Sequence, residues 1–177
     1  MKMSSPAPRI LIVEPLKSGL SVMARRLGEA GYRIVACANA TDAVAELHRA
    51  PVDLLLAELR MAPMSGIELV RLVRHDGNLK DLPVVLITGR SDKTGAVEGF
   101  AAGADDVVAK PFHFEVLLAR IAQRLAKARS VRELRKDNAT LDARVTTRAI
   151  ELGEMRAAFE ASEAERRRLA AMMRAAD

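Results

Sequence analysis

Aromatic side chains are nearly missing from this chain: Phe, Tyr and Trp make up 3% of its 177 residues, and Trp does not occur. A core must therefore be aliphatic, built from Val, Leu, Ile, Ala and Met, which suits strands and helices packed in layers. Cysteine occurs once, as Cys37 in the run RIVACA. A lone thiol closes no internal disulfide, so a disulfide scaffold is excluded, and a small buried hydrophobe in a reducing compartment is expected. Long apolar runs are also lacking. The N-terminus MKMSSPAPR is short, polar and Pro-containing, and no stretch is long enough for a signal peptide or a membrane span. The expected location is the cytoplasm, with residues 1–8 disordered. There is no G-x-x-x-x-G-K and no dinucleotide glycine fingerprint, and the Ser and Thr residues lack a matched His and acid. His48, His75 and His113 show no ligand spacing, so they predict no metal site. These absences point away from a conventional enzyme.

What the chain does contain is an alternation. From Arg9 to about Pro111, short apolar runs take turns with helical patterns: RILIV, LSVMARRLGEAG, YRIVACA, TDAVAELHRA, VDLLLA, GIELVRLVRH, LPVVLIT, TGAVEGFAAG and DDVVA. The runs are apolar without alternation, so both faces of a parallel sheet should be covered by helices. Gly31 and Gly103 sit where helices should stop, Thr41 and Ser65 where they should start, and Pro51, Pro83 and Pro111 at breaks. The pattern predicts an α/β fold, a doubly wound (βα)5 sheet.

From Phe112 the pattern changes. No Gly or Pro occurs between Pro111 and Gly153, and charges alternate in sign. This predicts one long helix, weakest at Gly153. Heptads with Val131 at a place Asn138, Val145, Leu152, Phe159, Arg166 and Met173 at a, and Leu134, Leu141, Arg148, Met155, Ser162 and Leu169 at d. The step from Ala128 to Val131 is three residues where four is due, which marks the handover from a globular helix to a coiled coil. A lone helix with this seam is marginal, and Asn138 at an a position favours two parallel strands in register. A parallel homodimer is expected, held by Val131, Leu134, Asn138, Leu141, Val145, Leu152, Met155 and Phe159. The basic residues Arg120, Arg124, Lys127, Arg129, Arg132, Arg135 and Lys136 carry much of the net charge of +5. Such a run is usually a solvated helix face. With no aromatic interleaved for base stacking, nucleic acid is not an expected partner, nor is a membrane.

In a sheet of this kind the C-terminal strand ends form the site. The residues there are Glu14 and Pro15, Glu58, Thr88 and Gly89, and Lys110 before Pro111. Here the sequence resembles the receiver domain of bacterial response regulators, through ILIVEP, DLLLAELRMAPMSGIEL, LPVVLITG and GADDVVAKPF in the family's order and spacing. The resemblance covers residues 9–126 and implies a flavodoxin-like sheet of strand order 2-1-3-4-5, leaving 127–177 as the coiled-coil helix. It also implies a magnesium-binding acid pair after the first strand, a phospho-accepting Asp after the third, a hydroxyl after the fourth and a Lys after the fifth.

Carried over residue by residue, the family pattern holds at Thr88 and Lys110. At the other positions Glu14 keeps one acid while Pro15 removes its partner, Glu58 stands where the acceptor Asp belongs, and Val107 replaces an aromatic. Loss of one carboxylate leaves any magnesium site at Glu14 weak or absent, so no cofactor is expected. A carboxylate displaced by one methylene, about 1.5 Å, no longer sits in line with a phosphoryl donor. The longer Glu58 is expected to pair with Lys110 and to accept a hydrogen bond from Thr88. The implied function is a degenerate receiver in two-component signal transduction, acting as a dimeric interaction module. The alternatives are the regulatory portion of a larger histidine kinase, cyclic-dinucleotide enzyme or HD-type phosphodiesterase lying beyond residue 177, and an RNA-binding antiterminator. The stretch from Phe114 contains no His, so it is not itself a kinase dimerisation helix. An antiterminator's three-helix RNA module has no room after the heptads.

Overall fold

The computed structural model describes residues 6–90, 92 and 94–174, apart from the side chains of Leu169 and Arg174. The seam position Leu169 and most of the expected disordered segment 1–8 thus lie outside the described residues. The elements follow in strict alternation: β1 Arg9–Val13, α1 Lys17–Glu29, β2 Arg33–Cys37, α2 Ala40–Arg49, β3 Leu54–Glu58, α3 Gly66–His75, β4 Val84–Thr88, α4 Gly95–Ala101, β5 Asp106–Ala109 and α5 Phe114–Arg174. All strand pairs are parallel, in the order β2-β1-β3-β4-β5.

Apart from polar residues at their ends (Arg9, Arg33, Glu58, Thr88 and Asp106), the strands are apolar because each face meets helices. Leu11, Val13, Leu55, Ala57, Val84 and Leu86 face one layer, with Ala43 and Leu47 of α2 and Leu69, Val70 and Val73 of α3. Ile10, Ile12, Leu54, Leu56, Val85 and Ile87 face the other, with Met23 and Leu27 of α1 and Leu117 and Ile121 of α5. The period of two is real, but its two phases are both hydrophobic.

Helix ends follow local chemistry. Ser65 caps α3 through a capping box: its hydroxyl accepts from the Glu68 N–H while Glu68 accepts from the Ser65 N–H. Gly31 and Gly103 end their helices with φ of 91° and 101°, which residues with a Cβ rarely adopt. Two starts differ from the sequence expectation. The cap of α2 is Asn39, whose side chain accepts from the Asp42 N–H, and Thr41 lies inside the first turn. The start of α1 is Lys17, ahead of Leu20, because its first turn is polar and leaves no mark on the hydrophobic period.

The chain divides into two units, one ending at Ser130 and one beginning at Val131. Within the first, Asp106 of β5 is buried and accepts from Arg120 at 2.9 Å and Arg124 at 3.3 Å, which pins the start of α5. Two residues of the basic run are therefore spent on an internal acid, and the expectation of a wholly solvated face is corrected for them. In the second unit the helix continues through Gly153, and Leu134, Leu141, Val145, Leu152, Met155 and Phe159 are each more than half exposed.

Candidate functional site

Parallel register brings four sequence-distant groups to one edge. Val13 pairs with Ala57, Glu58 with Ile87, and Thr88 with Ala109. Each functional side chain sits on the last residue of its strand or one residue past it, so Glu14, Glu58, Thr88 and Lys110 follow one another across the sheet. The backbone beyond the strands is also fixed. The Glu14 N–H donates to the Cys37 carbonyl at 3.1 Å, the Leu59 N–H to Ile87 at 2.7 Å and the Lys110 N–H to Thr88 at 2.8 Å.

Lys110 lies between two carboxylates. Its Nζ donates to Glu58 Oε2 at 2.6 Å and to Glu14 Oε2 at 2.9 Å. Glu14 is 2% exposed, and its other oxygen accepts from the Leu16 N–H at 3.1 Å. The first turn of α1 closes over it, since a Cβ on Gly19 would stand 3.2 Å from the Glu14 side-chain carbons. Burial pushes the Glu58 carboxyl up. The Lys110 ammonium pulls it down, and the charge and hydrogen bonding of Glu14 add to the rise. Burial also pulls Lys110 down, but its bonds to Glu58 and Glu14 prevail and hold the ammonium above its ordinary value. The two directions agree physically, because one cation balances one carboxylate and the remaining negative charge favours a retained proton.

Thr88 does not join this cluster. The expected hydrogen bond to Glu58 is not made, and the Thr88 hydroxyl donates instead to Asp92 Oδ2 at 3.3 Å. Asp92 is fixed by Arg60, two residues past Glu58, which donates to it through Nε at 2.7 Å and Nη2 at 3.1 Å. Arg60 also reaches Glu98 of α4 at 2.8 Å. Asp92 in turn accepts from the Gly95 N–H at 2.9 Å, at the first residue of α4. Its carboxyl is held below the usual range, chiefly by the hydrogen bonds of Arg60. Sequence reasoning singled out neither Arg60 nor Asp92. The available signal was a pair of opposite charges just beyond neighbouring strand ends.

Val107 faces Gly99 of α4, where a Cβ would stand 3.0 Å from it. Cys37 is buried and unpaired, and burial raises its thiol. His48 bonds to Val44 and Asp76, and His75 to Arg71. Among the described residues, no three His, Cys, Asp or Glu are grouped to hold a metal, and no helix is long and apolar enough to cross a membrane.

The chain has known relatives. Residues 10–122 match the response regulator receiver domain family. A Vibrio cholerae protein described as "Probable cyclic di-GMP phosphodiesterase" is 34% identical over 146 residues, 82% of this chain and 33% of that protein. The chemotaxis protein CheY of Pseudomonas aeruginosa is 34% identical over 114 residues, 64% of this chain and 92% of its own. The chain spans about half the length of several other curated relatives, all regulators. Among solved structures, the signal receiver domain of a signal transduction histidine kinase from Syntrophus aciditrophicus superposes with a TM-score of 0.65 at 31% identity, covering 68% of this chain and 92% of that one. With its sheet order and these relatives in agreement, the chain belongs to the response regulator receiver domain family.

Proposed function

We propose that this chain is a receiver that no longer receives: a dimeric interaction and regulatory module of two-component signalling in which Glu58 takes no phosphoryl group. The observation that carries this reading is Lys110 Nζ, held between Glu58 Oε2 at 2.6 Å and Glu14 Oε2 at 2.9 Å. The carboxylate at the acceptor position is engaged and points its extra methylene into the crevice. The hydroxyl at Thr88, which would have to meet a phosphoryl oxygen, is committed to Asp92. The residues present do not fit magnesium. Such a cation asks for a near-octahedral shell of oxygens, whereas here the two carboxylates close on an ammonium and Pro15 supplies no side-chain donor. No chemical step is assigned to the crevice, and the module acts by binding.

The second unit supports dimerisation. An apolar seam this exposed on a single helix is stabilised by a second copy, and Asn138 at an a position selects two parallel strands. The partners are thus a second copy of the chain and a signalling protein.

Incubation with acetyl phosphate and magnesium followed by intact-mass spectrometry tests the reading. The expected spectrum is unmodified protein. A stable single phosphoryl adduct that disappears in Glu58→Gln would overturn it.

One observation favours a second reading, the regulatory portion of a larger signalling enzyme. The match to the Vibrio cholerae relative is longer than the stretch of chain up to residue 122, so it runs on into α5. Assay of the whole gene product for cyclic di-GMP hydrolysis, with Glu58→Ala and Lys110→Ala alongside, separates the two. Hydrolysis altered by both substitutions favours the enzyme, and none in any form favours the free-standing module.

A further inference from the structure

The chain of contacts Arg60, Asp92 and Thr88 belongs neither to the Lys110 cluster nor to the seam. Three elements meet in it. Arg60 comes from the β3–α3 loop, Thr88 ends β4, and Asp92 precedes α4. The guanidinium holds Asp92 with two bonds, at 2.7 and 3.1 Å, a bidentate geometry that fixes the carboxylate in plane and orientation. A third bond, to Glu98 at 2.8 Å, ties the same guanidinium to the first turn of α4. With Asp92 so placed, its Oδ2 collects the Thr88 hydroxyl while its Oδ1 collects the Gly95 N–H. Gly95 is needed for this approach, because a Cβ there would stand 2.6 Å from Asp92 Oδ2 and 2.7 Å from Thr88 Oγ1. The Asp92 side chain is only 14% exposed, so solvent competes little for it.

We propose that Arg60 is a positioning residue that acts through Asp92 as a latch, turning the Thr88 hydroxyl away from Glu58 and fixing the start of α4 to the β3–α3 loop. The inference deepens the reading of a closed crevice and rests on it in one respect, that Thr88 is the hydroxyl whose orientation matters. Two devices then keep the site in one arrangement. Lys110 occupies the carboxylates, and Arg60 keeps the hydroxyl out. Removing one does not release the other.

Methyl NMR of the full chain labelled at threonine, with amide exchange at Gly95, tests this. In Arg60→Gln and in Asp92→Ala the Thr88 methyl resonance is expected to move in the same direction. The Gly95 amide should exchange about tenfold faster in both, the ratio that loss of one charge-assisted hydrogen bond produces. Arg60→Lys, which keeps the charge but lacks the planar two-nitrogen fork, should fall between them and the parent. If either variant fails to fold, Arg60→Lys and Asp92→Asn carry the same readout. A Thr88 methyl that stays at the parent position in Arg60→Gln overturns the latch, even if Asp92→Ala moves it, because Asp92 is then a helix cap that needs no arginine. The crevice is scored separately, by slow exchange of the Lys110 ammonium protons. Their protection with an unmoved Thr88 leaves the crevice reading and removes the latch, and the reverse outcome does the opposite.

Discussion

Lys110 carries one charge and faces two carboxylates, in a crevice whose response to pH follows chiefly from the burial of Glu58. The Glu58 carboxyl lies above its ordinary value of 4.5, with burial as the largest cause. From 4.5 up to the raised value the folded chain binds more protons than the unfolded chain, so stability falls as pH rises through that window. Glu58's favourable share is complete below 4.5 and lost above the folded value. Glu58→Gln titrates nowhere in this range, so urea unfolding at a series of pH values should show a flatter profile; an unchanged slope would assign the effect to another group. Lys110→Met leaves two buried carboxylates without a cation and should cost about 3 kcal/mol at neutral pH, less in acid. The pairing of Glu58 with Lys110 could be expected from the sequence through the receiver resemblance, which sets both at strand ends on one edge with the longer Glu58 reaching toward the amine. The partner of Thr88 could not, since Asp92 lies in a loop whose course follows no period.

Elements ended where local chemistry told them to. Ser65 followed by Glu68 is a capping box visible in four letters, and Ser65→Ala should lower stability by about 1 kcal/mol in a denaturant titration. Gly66, at the start of α3, is a different matter. A Cβ there would run into the Glu58 carbonyl oxygen and press on the Leu59 backbone, neither of which can swing aside. Gly66→Ala should therefore cost about 2 kcal/mol, read from the thermal midpoint, and a variant as stable as the parent would show that β3 and α3 can separate. Helix starts were harder to place than helix stops. Positive φ demands glycine and so marks Gly31 and Gly103, whereas several residue types can cap an N-terminus, and Asn39 won over Thr41 by its bond to Asp42.

At the scale of the whole molecule the question is what covers the seam. Equilibrium sedimentation at micromolar concentration is expected to return twice the chain mass. Leu134→Asp combined with Leu141→Asp places charges on two d positions and should return the chain mass, with loss of helical signal from Val131 onward and little change in the unfolding midpoint of the first unit. A parent that sediments as a monomer would end the coiled-coil reading.

The alternation of apolar runs and amphipathic stretches was enough to specify the sheet, its two covered layers and the long final helix, because burial and periodicity are properties of consecutive residues. It also placed an acid, a second acid, a hydroxyl and an amine at one edge, since parallel strands all end on the same side of the sheet, while their order across that edge came from the receiver resemblance. Which of those groups touch was settled by side-chain reach and by competition among charges from separate loops. Lys110 could have served one acid and serves two. Thr88 could have met Glu58, but Arg60 had already positioned Asp92 to take its hydroxyl. Such choices depend on distances of a few ångströms between residues dozens of positions apart, and only the packed chain sets them.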